Sequence, residues 1–202
     1  MNLWLLVPVK PLGEGKSRLA HQLNAVQRAE LSRRLLAGVL GAAQEAGVLT
    51  GMLVISRDPA VLAQAIAVGA VPLHEATTGL NEALTQGRAV ALSRGAEAVL
   101  VLPADLPLII PQDIRTLYAE GEAGPGIVIA PSHDGGTNAL LLRPPTAIEF
   151  AFGPHSFTRH CALAAAAGLP QRVVDSPTLA FDIDWPQDLA LMPSRAPGWA
   201  CP

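Results

Sequence analysis

Leu3–Val9 is an unbroken apolar run of strand length, and after it an order of strand, helix, strand, helix repeats along the chain. A strand with no polar alternation is buried on both faces. Repeated alternation of strands and helices selects a mostly parallel sheet with helices on both faces, a three-layer α/β domain. The first strand belongs in its interior. Further strands are expected at Met52–Ser56, Val71–Leu73, Val99–Leu102, Gly126–Ala130, Asn138–Arg143 and Gln171–Val174. A long helical stretch runs to about Ala46, with Leu31, Leu35, Val39 and Ala42–Ala43 on one face and Gly47 as its stop. Other helices are expected from Asp58-Pro59, over Leu80–Arg94, Pro111–Ala119 and Ser156–Ala167, and briefly over Pro186–Leu191. No repeat or long linker divides the chain, so residues 1–192 read as one domain and 193–202 as a frayed tail.

Ala98–Leu108 reads AVLVLPADLPL. Its apolar run ends in a lone carboxylate, Asp105, fenced by Pro103 and Pro107. Ligands of open α/β sheets bind in the crevice beyond the carboxyl ends of the strands, so Asp105 is placed to ligate a divalent metal. The alternative is a turn residue, or a cap for the helix starting near Pro111.

Half of the 202 residues are apolar and 15% are charged, which argues against disorder. A net charge of −3 argues against general nucleic-acid binding. No apolar stretch has the length of a membrane span, and the N-terminal run lacks the basic region of a signal peptide. Two cysteines, Cys161 and Cys201, are too few for a disulfide framework. A reducing, cytoplasmic setting is expected.

The first strand runs into Lys10-Pro11-Leu12-Gly13-Glu14-Gly15-Lys16-Ser17-Arg18. Gly13 and Gly15 allow backbone N–H groups to approach an anion. Lys10, Lys16 and Arg18 add positive charge near the strand's end, a composition that suits phosphate. A P-loop is excluded because its leading glycine position holds Lys10, and a dinucleotide fingerprint because its third glycine position holds Arg18. A solvated turn is the alternative.

In the C-terminal half, Gly135-Gly136 makes a sharp turn before Thr137-Asn138 opens a strand. Gly153, Ser156, Arg159 and His160 surround a helix start that suits a phosphate or carboxylate. Ser156 could instead be a plain N-cap, and His160 reads as a packed, hydrogen-bonded histidine. In FDIDWPQDL, Asp182 and Asp184 flank Ile183 and point to one side of an extended segment, which favours a cation. Asp184 could otherwise cap the helix at Pro186, while Asp188 is expected on that helix's surface. Asn81, in Thr77-Thr78-Gly79-Leu80-Asn81, could read a base edge through its amide or simply open a helix. No serine, cysteine or lysine stands beside an obvious base as a covalent nucleophile would. A basic loop, acidic groups and a separate anion site together suit phosphoryl chemistry done by positioning and metal electrostatics.

In this order, PVK…KSRL, LPADLPL, GGTNALL, FGPHSFTRH and DIDWPQDL resemble the CofC/FbiD guanylyltransferases of coenzyme F420 biosynthesis, over residues 1 to about 191. The resemblance implies a nucleotidyltransferase-type, Rossmann-like fold. It implies transfer of GMP from GTP to phosphoenolpyruvate or 2-phospho-L-lactate, with release of diphosphate. It further implies that Thr137, Gly153 and Ser156 hold the phospho-acid, and that Asp105, Asp182 and Asp184 handle Mg2+. Lys10, Lys16 and Arg18 would face the GTP phosphates, and the stretch around Asn81 would bind guanosine. The catalytic weight then falls on Asp105, Lys16 and Lys10. The Ala- and Pro-rich composition leans toward phosphoenolpyruvate, the acceptor of bacterial members. A homodimer is left open. Competing readings are a nucleotidyltransferase acting on a sugar phosphate or molybdopterin, whose longer Gly-Gly loop is absent, and a non-catalytic nucleotide-binding regulator, which would need no metal pair.

Overall fold

The computed structural model describes residues 1–195. Its strands are β1 (Leu3–Pro8), β2 (Gly51–Ser56), β3 (Val71–His74), β4 (Ala98–Val101), β5 (Gly126–Pro131), β6 (Thr137–Arg143) and β7 (Gln171–Val173). Its helices are α1 (Ala25–Ala46), α2 (Pro59–Ala67), α3 (Leu80–Ser93), α4 (Pro111–Glu122), α5 (Ser156–Ala166) and α6 (Pro186–Arg195). The sheet order is β3-β2-β1-β4-β6-β5-β7, so β1 is interior, as its composition requires. β6 runs against both of its neighbours, and every other pairing is parallel.

Successive residues of a strand point to opposite faces, and both sets on β1 are apolar. Leu3, Leu5 and Val7 pack with Leu36, Val39 and Leu40 of α1, Val61 of α2 and Ile114 and Leu117 of α4. Trp4 and Leu6 pack on the other face with Ala83, Leu84 and Ala91 of α3 and Ala164 of α5. These two clusters are the layers on either side of the sheet.

Capping fixes where the helices begin. Asn24 caps α1 by accepting from the Gln27 amide, and Gly47 closes that helix in the left-handed region at φ 69°. Asp58 caps α2 through the Ala60 amide, with Pro59 at the first helical position. Its second oxygen accepts from the Leu12 amide at 2.8 Å, which ties the glycine loop to α2.

A third, smaller cluster joins Leu19, Leu23, Leu31 and Leu35 to Phe181, Ile183 and Met192. It lies off the sheet and docks the segment after the basic loop onto the acidic segment near the C-terminus. α6 continues through Arg195 rather than stopping at Leu191, so the first residues of the expected tail are helical. Residues 196–202, Cys201 among them, lie outside the described residues. None of the described helices is long and apolar enough to cross a membrane.

Candidate active site

The parallel strands β1 to β4 bring their carboxyl ends to one edge of the sheet, and antiparallel β6 starts there. A cavity of about 470 Å³ opens at that edge, where the strand-end crevice of an open α/β sheet is expected. Lys10, Lys16, Asp105, Thr137, Gly153, Ser156, Asp182 and Asp184 all line it.

Carboxylate oxygens of Asp105, Asp182 and Asp184 lie within 4.8 Å of one another. Two anchors bring them together. The Ile183 amide donates to the Asp105 carbonyl at 3.3 Å, and Ile183 itself is locked in the third core cluster. The Asn138 amide donates to Asp182 Oδ1 at 3.1 Å. Burial pushes the Asp182 pKa up to about 6, helped by the neighbouring charges of Asp105 and Asp184 and opposed by the Asn138 hydrogen bond. A set of hard oxygen donors with no sulfur or imidazole suits a small divalent cation, and these three residues could hold one.

The Lys16 ammonium sits between two of these carboxylates, 2.5 Å from Asp105 Oδ2 and 3.1 Å from Asp184 Oδ1. Burial lowers the lysine pKa, but Asp105 and Asp184 more than offset that, and the net shift is upward. Arg18 reaches Asp184 Oδ2 at 3.1 Å and stacks 4.4 Å from the Trp185 ring centroid, more than half exposed and outside the cavity lining. Lys10 lines the cavity and forms no ion pair among the described residues, so its charge is available to a ligand.

At the far end of the cavity, Ser156 Oγ donates to Thr137 Oγ1 at 3.0 Å. Both hydroxyls are buried, although Thr137 opens β6 and Ser156 opens α5. His160, fully buried behind them, fixes their proton directions. Its Nε2 accepts from the Ala151 amide at 3.0 Å. A neutral imidazole that accepts at Nε2 carries its proton on Nδ1. That nitrogen lies 3.2 Å from Thr137 Oγ1 and therefore donates to it. Thr137 Oγ1 receives two hydrogen bonds, and its own proton is left to face the cavity. Gly153 borders the pair at φ 123°, a conformation open to glycine, and a Cβ there would stand 3.1 Å from Arg159 Nη2.

Burial, then the charge of Arg159, pushes the His160 pKa down to about 4 from an ordinary 6.5. Below pH 6.5 the unfolded chain thus binds a proton that the folded chain refuses. The stability held by neutral His160 is complete at pH 7 and is lost as pH falls toward 4, roughly 3 kcal/mol at the limit. Urea unfolding across that range should show a steeper loss for the wild type than for His160→Asn. Equal slopes would contradict this account.

Several expectations change. Asn81 is absent from the cavity lining. Its amide donates to the Phe152 carbonyl at 3.2 Å and accepts from the Phe152 amide at 2.8 Å, so it braces the loop before Gly153 instead of facing a base. Gly13 also lies outside the lining. Gly15 is in it, but its amide is spent on the Pro11 carbonyl at 3.1 Å. The loop leads into a 3-10 turn at Ser17–Leu19, not directly into a helix N-terminus. Ser156 is not an N-cap, because His155 holds that position at φ 56°. Asp188 is buried and not on the surface. It accepts from the Asp184 and Trp185 amides at 3.0 and 2.7 Å, capping α6 and leaving the Asp184 carboxylate to the acidic group. Asp113, not Asp105, bonds the backbone at the start of α4.

Arg57 and Glu75, just past β2 and β3, were not anticipated as part of the cavity. The signal that singled out Asp105, a charge just past a buried strand, also marks Arg57 after β2, whereas β3 is half exposed and ends on His74, so Glu75 carried no such signal.

The architecture is shared with a crystal structure of 4-diphosphocytidyl-2C-methyl-D-erythritol synthase from Anaerococcus prevotii, at a TM-score of 0.66 and 10% identity over 96% of this chain and 95% of that one. The fold is of the nucleotidyltransferase type. A family model described as guanylyl transferase, CofC-like, matches residues 3–193. A phosphoenolpyruvate guanylyltransferase of Rubrobacter xylanophilus is 49% identical over 94% of this chain and 93% of its own length. Another, from Sphaerobacter thermophilus, is 47% identical over 98% and 95%. The chain belongs to the CofC-like guanylyl transferase family.

Proposed function

We infer that this enzyme transfers GMP from GTP to a phosphorylated three-carbon acid, phosphoenolpyruvate before 2-phospho-L-lactate, and releases diphosphate in coenzyme F420 biosynthesis. The observation that carries the reading is one cavity with an acidic group at its centre, free and paired lysines on one side and a hydroxyl pair on the other. It occurs in a chain 49% identical to a phosphoenolpyruvate guanylyltransferase.

In this reading, Thr137 donates its free hydroxyl proton to the acceptor phosphate, and Gly153 lets that phosphate approach the backbone. Lys10 and Lys16 neutralise the triphosphate and hold its α-phosphorus toward the acceptor. An acceptor phosphate oxygen forms the new P–O bond in line with the departing diphosphate, while the bond from the α-phosphorus to the bridging oxygen breaks. The acceptor phosphate is already ionised, so no side chain need remove a proton. Asp105, Asp182 and Asp184 would hold Mg2+, which when bound supplies charge neutralisation to the phosphates. A cytoplasmic setting suits the free thiol of Cys161.

The test is diphosphate release from GTP with a panel of phospho-acids in the presence of Mg2+. Thr137→Val should raise the acceptor KM about tenfold or more, the effect of losing a hydrogen bond to a charged group. Ser156→Ala should act less strongly, because its proton points at Thr137. The GTP KM should stay put in both. Absence of diphosphate release with every phospho-acid would overturn the reading.

A further inference from the structure

We propose that Glu75 reads the guanine edge of the nucleotide and sets the base preference of this enzyme. The inference rests on the guanylyltransferase reading above and extends it to the residue that selects the base.

Asp105 follows β4 and Thr137 opens β6, so the acidic group and the hydroxyl pair occupy the β4–β6 side of the crevice. The cavity continues the other way, past Lys10 after β1 and Arg57 after β2 to Glu75 after β3. Neighbouring strands are about 4.8 Å apart, which leaves room for a nucleoside laid across β1 and β2. That stretch is walled by Pro8, Val9, Ile55, Leu80 and Ala83. These apolar groups suit the faces of a purine ring, and the charged Lys10, Glu14, Arg57 and Glu75 border them.

Glu75 is the acceptor at the end of this stretch. Its side chain is only 12% exposed, and Oε2 accepts from Arg57 Nε at 3.1 Å. No described residue donates to Oε1. The backbone on either side is held: the Glu75 amide donates to the Ser56 carbonyl at 3.1 Å, and the Ala76 amide donates to Gln86 Oε1 at 3.0 Å. Gln86 in turn donates to the His74 carbonyl at 2.9 Å. Arg57 also pairs through Nη2 with Glu14, another residue of the cavity lining, at 3.2 Å. The carboxylate is therefore preorganised before any ligand arrives.

A carboxylate only accepts hydrogen bonds. Guanine offers it two adjacent donors, the ring N1–H and the exocyclic 2-amino group. Adenine presents an acceptor at N1, which meets the carboxylate acceptor to acceptor. Inosine keeps the N1–H and lacks the 2-amino group, so it ranks between them.

The experiment compares wild type and Glu75→Gln with GTP, ITP and ATP. It uses diphosphate release at saturating phosphoenolpyruvate and Mg2+, together with calorimetric binding of each nucleotide. Glutamine keeps the length of the side chain and an oxygen for Arg57. GTP affinity should fall roughly 10- to 100-fold, the range of a lost bidentate base contact, and the GTP-to-ITP and GTP-to-ATP ratios should collapse toward one. The phosphoenolpyruvate KM and the melting temperature should not move. A preserved nucleotide ranking in Glu75→Gln overturns the proposal, and so does a lower melting temperature with the ranking intact, which would make Glu75 a brace for Arg57. Failure of the guanylyltransferase reading looks different: no diphosphate release from the wild type, while the binding ranking still decides the role of Glu75.

Discussion

Asp105→Asn is expected to lower kcat/KM by about a hundredfold to a thousandfold, the effect of removing several kcal/mol of electrostatic stabilisation from a phosphoryl-transfer transition state. Asparagine fits the same space between Pro103 and Pro107 and can still accept from Lys16. The backbone bond from Ile183 to the Asp105 carbonyl does not involve the side chain. The substitution also relieves the repulsion that Asp105 exerts on Asp182. Lys16 keeps its pair with Asp184 at 3.1 Å, so the fold should survive with a modest fall in melting temperature. Steady-state kinetics over a range of Mg2+ concentrations, with thermal unfolding alongside, is the measurement. Near-wild-type turnover at saturating Mg2+ would remove Asp105 from the chemistry.

The layered fold was legible because its determinants are local. The double-faced apolarity of Leu3–Val9 forces an interior strand, and the Asp58-Pro59 pair fixes a helix start through its own backbone geometry. The same holds for the position of Asp105, since a charge ending a buried strand can only lie at the sheet's edge. What the sequence hid are partnerships between distant segments. Asp188 is a different case, since its bonds to the Asp184 and Trp185 amides span only four and three residues and are a local capping pattern that the sequence reading passed over. Asn81 looked free to meet a base because Phe152, its partner on both hydrogen bonds, lies 71 positions away. Ser156 and Thr137 were each assigned to a phosphate, but their proton directions depend on His160 and the Ala151 amide. Residue type and spacing thus picked out residues that share one cavity, and tertiary contacts fix which of their polar atoms face it.

Lys16→Ala is expected to change three measurements in a pattern that no surface lysine would produce. Nucleotide-free stability should fall by about 2 kcal/mol. Breaking a fully buried ion pair typically costs about 3–5 kcal/mol, and the loss is smaller here because Asp184 remains 40% exposed to water. Affinity for Mg2+ alone should rise, because the ammonium that contacts both Asp105 and Asp184 no longer competes for their oxygens. GTP affinity should fall by about tenfold or more if, as proposed above, Lys16 faces the phosphates, while the Lys10 charge remains. Denaturant unfolding with and without Mg2+, and calorimetry with each ligand, separate the three. The first two effects share one cause: Lys16 bridges Asp105 and Asp184, two of three carboxylates whose oxygens lie within 4.8 Å of one another. Added Mg2+ should therefore restore most of the stability lost in the variant. An unfolding midpoint equal to that of the wild type, or Mg2+ affinity unchanged by the substitution, would show that the lysine does not hold the acidic group together.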